Sequence, residues 1–384
     1  MAQHVKETIL HLIDTGGPGG AETIFLRVAA GLEQRGSHSI PVVSRDAWLA
    51  DQLRQAGLEP VILGSKGSLN IGYLRQLTGL IRQHRPTAIL THLYGSAIYG
   101  ALAGRLAGRP VVSVMHGHSD IGADERLGGL KARIVAGGAS RLVAVSTPLR
   151  EALARTIRAP AAKWSVIPNG VDTATLSPGK SMDLRSRLGV SAETPLIGAL
   201  GNIRRPKAYE VFLRTAARLA EASDRFHFVI GGEGSGPLMD ELLAQRRDLG
   251  LDQRIHFLGL VDDIPRYLGD LDIFLLTSST EGFSIACVEA MACGLPVVAT
   301  RSGGPEDIVV DGETGFLCPA GDCEALAERI AQLANDEAKR ESFGLAGRHR
   351  VVTEFSLNAM LDAYDAVLQT VVHRKAKNSP SNSR

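Results

Sequence analysis

Glu281 and Glu289 stand with seven residues between them in the stretch Ser279–Pro305, STEGFSIACVEAMACGLPVVATRSGGP. A carboxylate does not bind a phosphate, but it accepts hydrogen bonds from hydroxyls. Between the two, Gly282, Phe283 and Ser284 turn the chain into a helix whose first free amides, at Ser284 to Ala286, favour an anion. Hydroxyl grips on either side of an anion site suit a nucleotide sugar, with ribose at one end and hexose at the other. A second reading of the same spacing stays open here, with Glu281 a capping carboxylate and Glu289 a solvated helix residue.

Further groups of chemical interest recur at the ends of apolar runs. Gly16–Gly20, with Gly19 and Gly20 before an amphipathic stretch, lets backbone approach a ligand closely, yet lacks the G-x-G-x-x-G spacing of a dinucleotide fold. His116-Gly117-His118 closes another run, and Asn202-Ile-Arg-Arg-Pro-Lys207 places Arg204, Arg205 and Lys207 on a loop. Gly232-Glu233-Gly-Ser-Gly236 ends a third run. Asp270-Leu-Asp272 spells the D-x-D of metal-dependent sugar-nucleotide sites, but it precedes an apolar run and reads as a loop entering a sheet, not as a metal site.

The elements that must position these residues are short continuous apolar runs alternating with helix-length segments, the pattern of parallel strands covered on both faces. In the first half the expected strands are 8–14, 40–44, 60–63, 88–92, 111–116, 141–146 and 164–168, with helices 21–35, 46–56, 72–83, 96–106 and one opened by Pro148. In the second half they are 195–201, 226–231, 255–259, 273–277, 296–300 and 315–318. Such doubly wound sheets bind ligands outside the carboxyl ends of their strands, where the glycine and basic loops fall. Pro168-Asn-Gly-Val-Asp172 and the aperiodic 173–180 read as a turn and linker.

The set of Glu281 to Glu289, Gly294-Leu-Pro296, Gly303-Gly-Pro-Glu306, Gly19-Gly-Ala-Glu22, His116, PNGVD and the basic loop resembles retaining glycosyltransferase family 4, over most of the chain. The resemblance implies an α/β, GT-B fold, two Rossmann-like doubly wound parallel-sheet domains facing across a cleft. It places them at 1–175 on the acceptor side and 176–356 on the nucleotide-sugar side. A C-terminal helix, 357–373, returns to the first domain, and 374–384 is expected to be a disordered tail. It implies roles for His116, Glu281, Lys207 and Arg204 in catalysis, and for Gly19, Gly20, Glu233, Gly282, Phe283, Ser284 and Glu289 in donor binding. His118 and Asp120 are candidate acceptor contacts. The sequence departs from the family where Asn202 replaces a common arginine and Ala208 replaces a glycine after the lysine.

On this resemblance the expected reaction is metal-independent, with no cofactor, and moves a sugar from a nucleotide diphosphate to a glycan or polyprenyl-phosphate-linked acceptor in envelope polysaccharide synthesis. The alternatives are a non-hydrolysing sugar-nucleotide epimerase of the same fold and a non-catalytic nucleotide-sugar-binding protein. Composition bounds the rest. At 384 residues the chain suits two domains, and no apolar run reaches a membrane-spanning length or forms a secretory leader, so a cytoplasmic protein is expected. The four cysteines, Cys287, Cys293, Cys318 and Cys323, lack zinc spacing and read as buried thiols. Net charge is +1, yet residues 60–163 hold fourteen Lys/Arg against four Asp/Glu. That basic first half suits an anionic partner such as a membrane surface, or is a solvated face; nucleic acid is not expected, because aromatics are not interleaved.

Overall fold

The computed structural model describes residues 7–64, 70–117 and 127–378, which divide into two compact units, 1–170 with 357–384 and 171–356. In the N-terminal unit the order is β1 (Thr8–Ile13), α1 (Gly20–Gln34), β2 (His38–Val43), α2 (Trp48–Gln55), β3 (Val61–Ile62), α3 (Ile71–His84) and β4 (Ala88–His92). It continues with α4 (Tyr94–Ala107), β5 (Val111–Met115), α5 (Gly128–Gly138), β6 (Arg141–Ala144), α6 (Thr147–Ile157) and β7 (Trp164–Val166). The sheet order is β3-β2-β1-β4-β5-β6-β7, and every pairing is parallel. The direction of winding reverses between β1 and β4, so their carboxyl ends open a crevice.

Local chemistry explains the element ends. Asn70 accepts from the Tyr73 amide to start α3, and Ser146 accepts from the Leu149 amide to start α6, where Pro148 sits in the first turn. Helix α4 lies close on the sheet because its inner face is small: a methyl on Gly104 would come 2.4 Å from Val111 Cγ2. Leu10, Leu12, Val42, Leu77, Ile81, Ile89 and Val111 form a core layer on one face, while Ile13, Phe25, Val43, Leu49 and Leu53 form one on the other. Each such fully buried side chain contributes about 1.5–3 kcal/mol.

The C-terminal unit runs α7 (Asp183–Leu188), β8 (Leu196–Leu200), α8 (Tyr209–Ala222), β9 (His227–Gly231), α9 (Pro237–Asp248), β10 (Ile255–Gly259) and α10 (Ile264–Gly269). Then come β11 (Ile273–Leu276), α11 (Ile285–Ala292), β12 (Val297–Thr300), α12 (Pro305–Ile308), β13 (Gly315–Cys318), α13 (Cys323–Asn335) and α14 (Glu337–Glu354). Its parallel sheet is ordered β10-β9-β8-β11-β12-β13, with the reversal between β8 and β11. Both units are therefore Rossmann-like and doubly wound. The last helix, α15 (Leu357–Asn378), packs on α1 of the N-terminal unit, where Arg35 pairs with Asp362 and Asp365 and Leu361 lies over Gly31.

Helices α5, α7, α10 and α12 have no counterpart in the sequence reading: α5 is glycine-rich and the others are six residues or fewer. Of the expected disordered tail at 374–384, residues 374–378 are instead helical, since α15 continues to Asn378; 379–384 lie outside the described residues. Arg374, Lys375, Ala376 and Lys377 are good helix formers, and polarity alone does not end a helix; Pro380 lies just beyond.

Candidate active site

At the rim of the C-terminal unit, the loops after β8, β9, β11 and β12 meet beyond the strand ends. The loop after β8 is fixed by Tyr209, whose hydroxyl donates to the Gly201 carbonyl at 2.6 Å, and by the Ile203 amide donating to Glu233 O at 2.7 Å. Gly201 and Gly232 both sit at φ +151, and a methyl on Gly232 would lie 2.0 Å from Gly201 O, so no other residue lets these loops touch. Asn202, where the resembled family has arginine, turns its side-chain oxygen to the Glu233 amide at 3.3 Å, a loop tie with no charge. Ala208 adopts φ +48, a left-handed conformation suited to the glycine it replaces.

Lys207, at the end of a single turn Arg205–Lys207, reaches the loop after β11. Its ammonium donates to Glu281 Oε1 at 2.7 Å, and the Ser278 hydroxyl donates to the same oxygen at 2.6 Å. The pair is mostly buried, with 25% of the Lys207 side chain and 11% of Glu281 exposed. An ammonium has three donors, so Lys207 is oriented by Glu281 with donors left for a second anion. The backbone repeats this join: Ser279 N donates to Pro206 O, Thr277 Oγ1 to Lys207 O, and Glu281 N to Ser302 O. Gly304 lies against the Gly282–Phe283 backbone, where a methyl would come 2.7 Å from Phe283 Cα. Glu306 accepts from the Gly303 amide, which explains the Gly-Gly-Pro-Glu run after β12.

Ser284 caps α11 through the Cys287 amide, so Gly282 to Ser284 lead straight into a helix N-terminus. The Phe283 ring turns inward against Phe355, leaving its backbone at the loop. Glu289 is not a solvated helix residue: it is 5% exposed on α11, four residues beyond Ile285. Arg205 is engaged by Glu241 at 2.8 Å, whereas the Arg204 side chain is exposed and makes no hydrogen bond or ion pair among the described residues. Glu233 is exposed on the loop after β9.

Asp270 and Asp272 do structural work. Asp270 accepts from the Ser181, Met182 and Leu184 amides and the Ser181 hydroxyl, and Asp272 accepts from Arg185 and the Leu196 amide. Arg185, 3% exposed, also donates to Asp270 O and to two carbonyls at 191 and 194. The cysteines are all free thiols, with burial pushing Cys287 and Cys293 up to about 12 and Cys318 up to about 11.

At the rim of the N-terminal unit, Gly19 is the extended residue before α1 and its carbonyl accepts from Thr23, while Gly20 is the helix's first residue. Two residues there escaped the sequence reading. Asp14, just past β1, lies over Gly95 at the start of α4, and burial holds its carboxyl above the ordinary range. Arg45 lies along Gly16 and Gly17, where methyls would come 3.0 and 3.6 Å from its side chain. The usable signal was position alone, each being a charged residue just after a strand.

His116 follows β5, half-buried, and its Nε2 lies 3.0 Å from Nδ1 of His92 at the end of β4. Desolvation lowers His116 to about 4 and His92 well below the usual histidine range, so both rings are neutral at pH 7. His118 and Asp120 lie outside the described residues.

Comparison with known proteins follows the same division. Residues 18–175 match the model described as Glycosyltransferase Family 4, and residues 182–350 match Glycosyl transferases group 1. A D-inositol 3-phosphate glycosyltransferase of Kribbella flavida is 30% identical over 307 residues, 74% of this chain and 72% of that protein. An N-acetyl-alpha-D-glucosaminyl L-malate synthase of Bacillus anthracis is 29% identical over 195 residues, 51% of this chain, and the chain spans 50% of that relative's length. Among solved structures, Anabaena Alr3699/HepE in complex with UDP-glucose superposes with a TM-score of 0.83 at 25% identity, covering 95% of this chain and 100% of that one. The laced loops of two doubly wound units and these matches agree: the chain belongs to glycosyltransferase family 4, whose second half is the group 1 glycosyl transferase module.

Proposed function

We propose that the protein is a retaining glycosyltransferase that moves a sugar from a nucleotide diphosphate donor to a glycan or polyprenyl-phosphate-linked acceptor, without a divalent ion. The observation that carries the reading is the Lys207–Glu281 pair at the β8/β11 crevice, flanked by the exposed Arg204. Transfer builds negative charge on the departing diphosphate, which must be stabilised in place. Lys207, Arg204 and the N-termini of α8 and α11, each worth roughly half a positive charge, supply that field. Glu281 offsets one charge, and its Oε1 is shared by Lys207 and Ser278; its second oxygen is the one suited to a donor-sugar hydroxyl. The buried carboxylate of Glu289 suits the ribose, and His116 the reacting sugar.

Independence from metal is supported by the engagement of Asp270 and Asp272 with backbone amides and Arg185, which leaves the cationic side chains to balance the diphosphate. Relatives named for inositol phosphate and lipopolysaccharide-core transfer support a polar or lipid-linked acceptor. Helices α3 to α5 on one face of the N-terminal sheet expose Arg75, Arg82, Arg105 and Arg133 beside Ile71 and Leu130, which supports contact with an anionic lipid surface. No helix among the described residues is long and apolar enough to cross a membrane.

The test is incubation with UDP-, GDP- and ADP-sugars, with and without EDTA and a polyprenyl-phosphate or glycan acceptor, reading nucleotide release and, by NMR, the anomeric configuration of the product. Acceptor-dependent release that survives EDTA and keeps the donor's configuration is expected. Release abolished by EDTA, or an inverted product, overturns the corresponding part.

A further inference from the structure

His92 lies at the carboxyl end of β4 with 0% exposure, and it touches His116 through one ring nitrogen only. The two rings are nearly parallel, 19° apart with centroids at 5.2 Å, and the edge-on ring of Phe25 closes His92 from another side at 5.2 Å. The remaining nitrogen of His92, Nε2, is buried with no hydrogen-bond partner among the described residues. A neutral imidazole carries one N–H and one lone pair, so the contact at 3.0 Å admits two arrangements. If His116 Nε2 donates, His92 must hold its proton on Nε2, an orphaned buried N–H. If His92 Nδ1 donates, only a lone pair is orphaned, and buried acceptors go unsatisfied more readily than buried N–H groups.

We propose that His92 is a positioning residue that donates from Nδ1 to His116 Nε2, and so fixes His116 as the tautomer with its proton on Nδ1. On the reading that His116 meets the donor sugar, on which this rests, His116 then acts there as a neutral hydrogen-bond donor, not as a base. Its ring orientation is set by the same contact, in the way that a second partner commonly fixes a functional histidine. The pair makes the apolar strand end at β4 part of the machinery, although His92 itself reaches no substrate.

The deciding experiment reads the ring nitrogens directly, by ¹⁵N NMR of histidine-labelled full-length protein near neutral pH, with His116→Gln and His92→Asn for assignment. Wild type is expected to show His116 protonated on Nδ1 and His92 protonated on Nδ1; a proton on His116 Nε2 overturns the proposal even if no variant folds. In His92→Phe, the His116 Nε2 signal is expected to shift as it loses the His92 N–H, and UDP release from UDP-glucose to lose roughly tenfold in kcat, the scale of one lost hydrogen bond. His92→Asn, which restores an N–H near the Nδ1 place, is expected to recover most of that rate with little change in KM. Unchanged turnover in His92→Phe beside a slowed His116→Ala overturns the positioning role. Unchanged turnover in His116→Ala instead removes the active-site reading and leaves the tautomer assignment standing.

Discussion

His11 lies at the centre of β1, fully buried, with neither ring nitrogen hydrogen-bonded among the described residues and Phe25 edge-on at 6.0 Å. Burial lowers His11 to about 3 and His116 to about 4, and it lowers His92 well below the usual histidine range, each against an unfolded value near 6.5. Below pH 6.5 the unfolded chain therefore binds protons that the native N-terminal unit refuses, so stability is present at neutral pH and lost as pH falls. Moving from about pH 7.5 to about pH 5.5 then costs roughly 1 kcal/mol for each of His11 and His116, and His92 adds a loss of the same sign. Asp14, shifted upward by burial, contributes in the opposite sense. Both tryptophans, Trp48 and Trp164, belong to the N-terminal unit, so urea unfolding followed by tryptophan fluorescence reads this unit alone. His11→Phe should remove roughly 1 kcal/mol of the acid loss and, by deleting an unpartnered buried polar group, should not lower stability at pH 7.5 by more than about 1 kcal/mol. An acid loss identical in wild type and His11→Phe would refute the reasoning.

Other expectations follow from the C-terminal rim. Lys207→Ala should lower kcat by about 100-fold or more with a smaller change in donor KM, since it removes charge stabilisation of the leaving group; unchanged kcat in steady-state assays would count against it. Glu289→Ala should raise donor KM while leaving kcat within a few-fold, read in the same assay. Asp270→Ala strands three backbone amides and should cost about 3 kcal/mol in urea unfolding followed by circular dichroism, with no new response to magnesium in turnover. A stable Asp270→Ala with altered metal response would revive the D-x-D as a metal site.

The doubly wound order was legible because continuous apolar runs such as Ile273–Leu276 and Val297–Thr300 have no reading but buried parallel strands once helix-length segments separate them. The rim was legible where a backbone need fixes residue type, as at Gly201, Gly232 and Gly304. Pairwise contacts were not. The spacing of Lys207 and Glu281, 74 residues apart, says nothing of their salt bridge, which depends on β8 and β11 being neighbours across the reversal. His92 looks like one more polar residue ending a strand until the partner strand brings His116 beside it. Asn202 looked like a lost charge and is a tie between two loops, a role no single sequence displays.

A crystal structure of the protein with its nucleotide-sugar donor tests the central claim most directly. The donor's diphosphate is expected at the crevice beyond β8 and β11, within hydrogen-bond reach of Lys207 Nζ and the amides at the start of α11, with Glu281 turned to the sugar. A diphosphate held through a cation by Asp270 and Asp272, or bound away from Lys207 and Glu281, would contradict it.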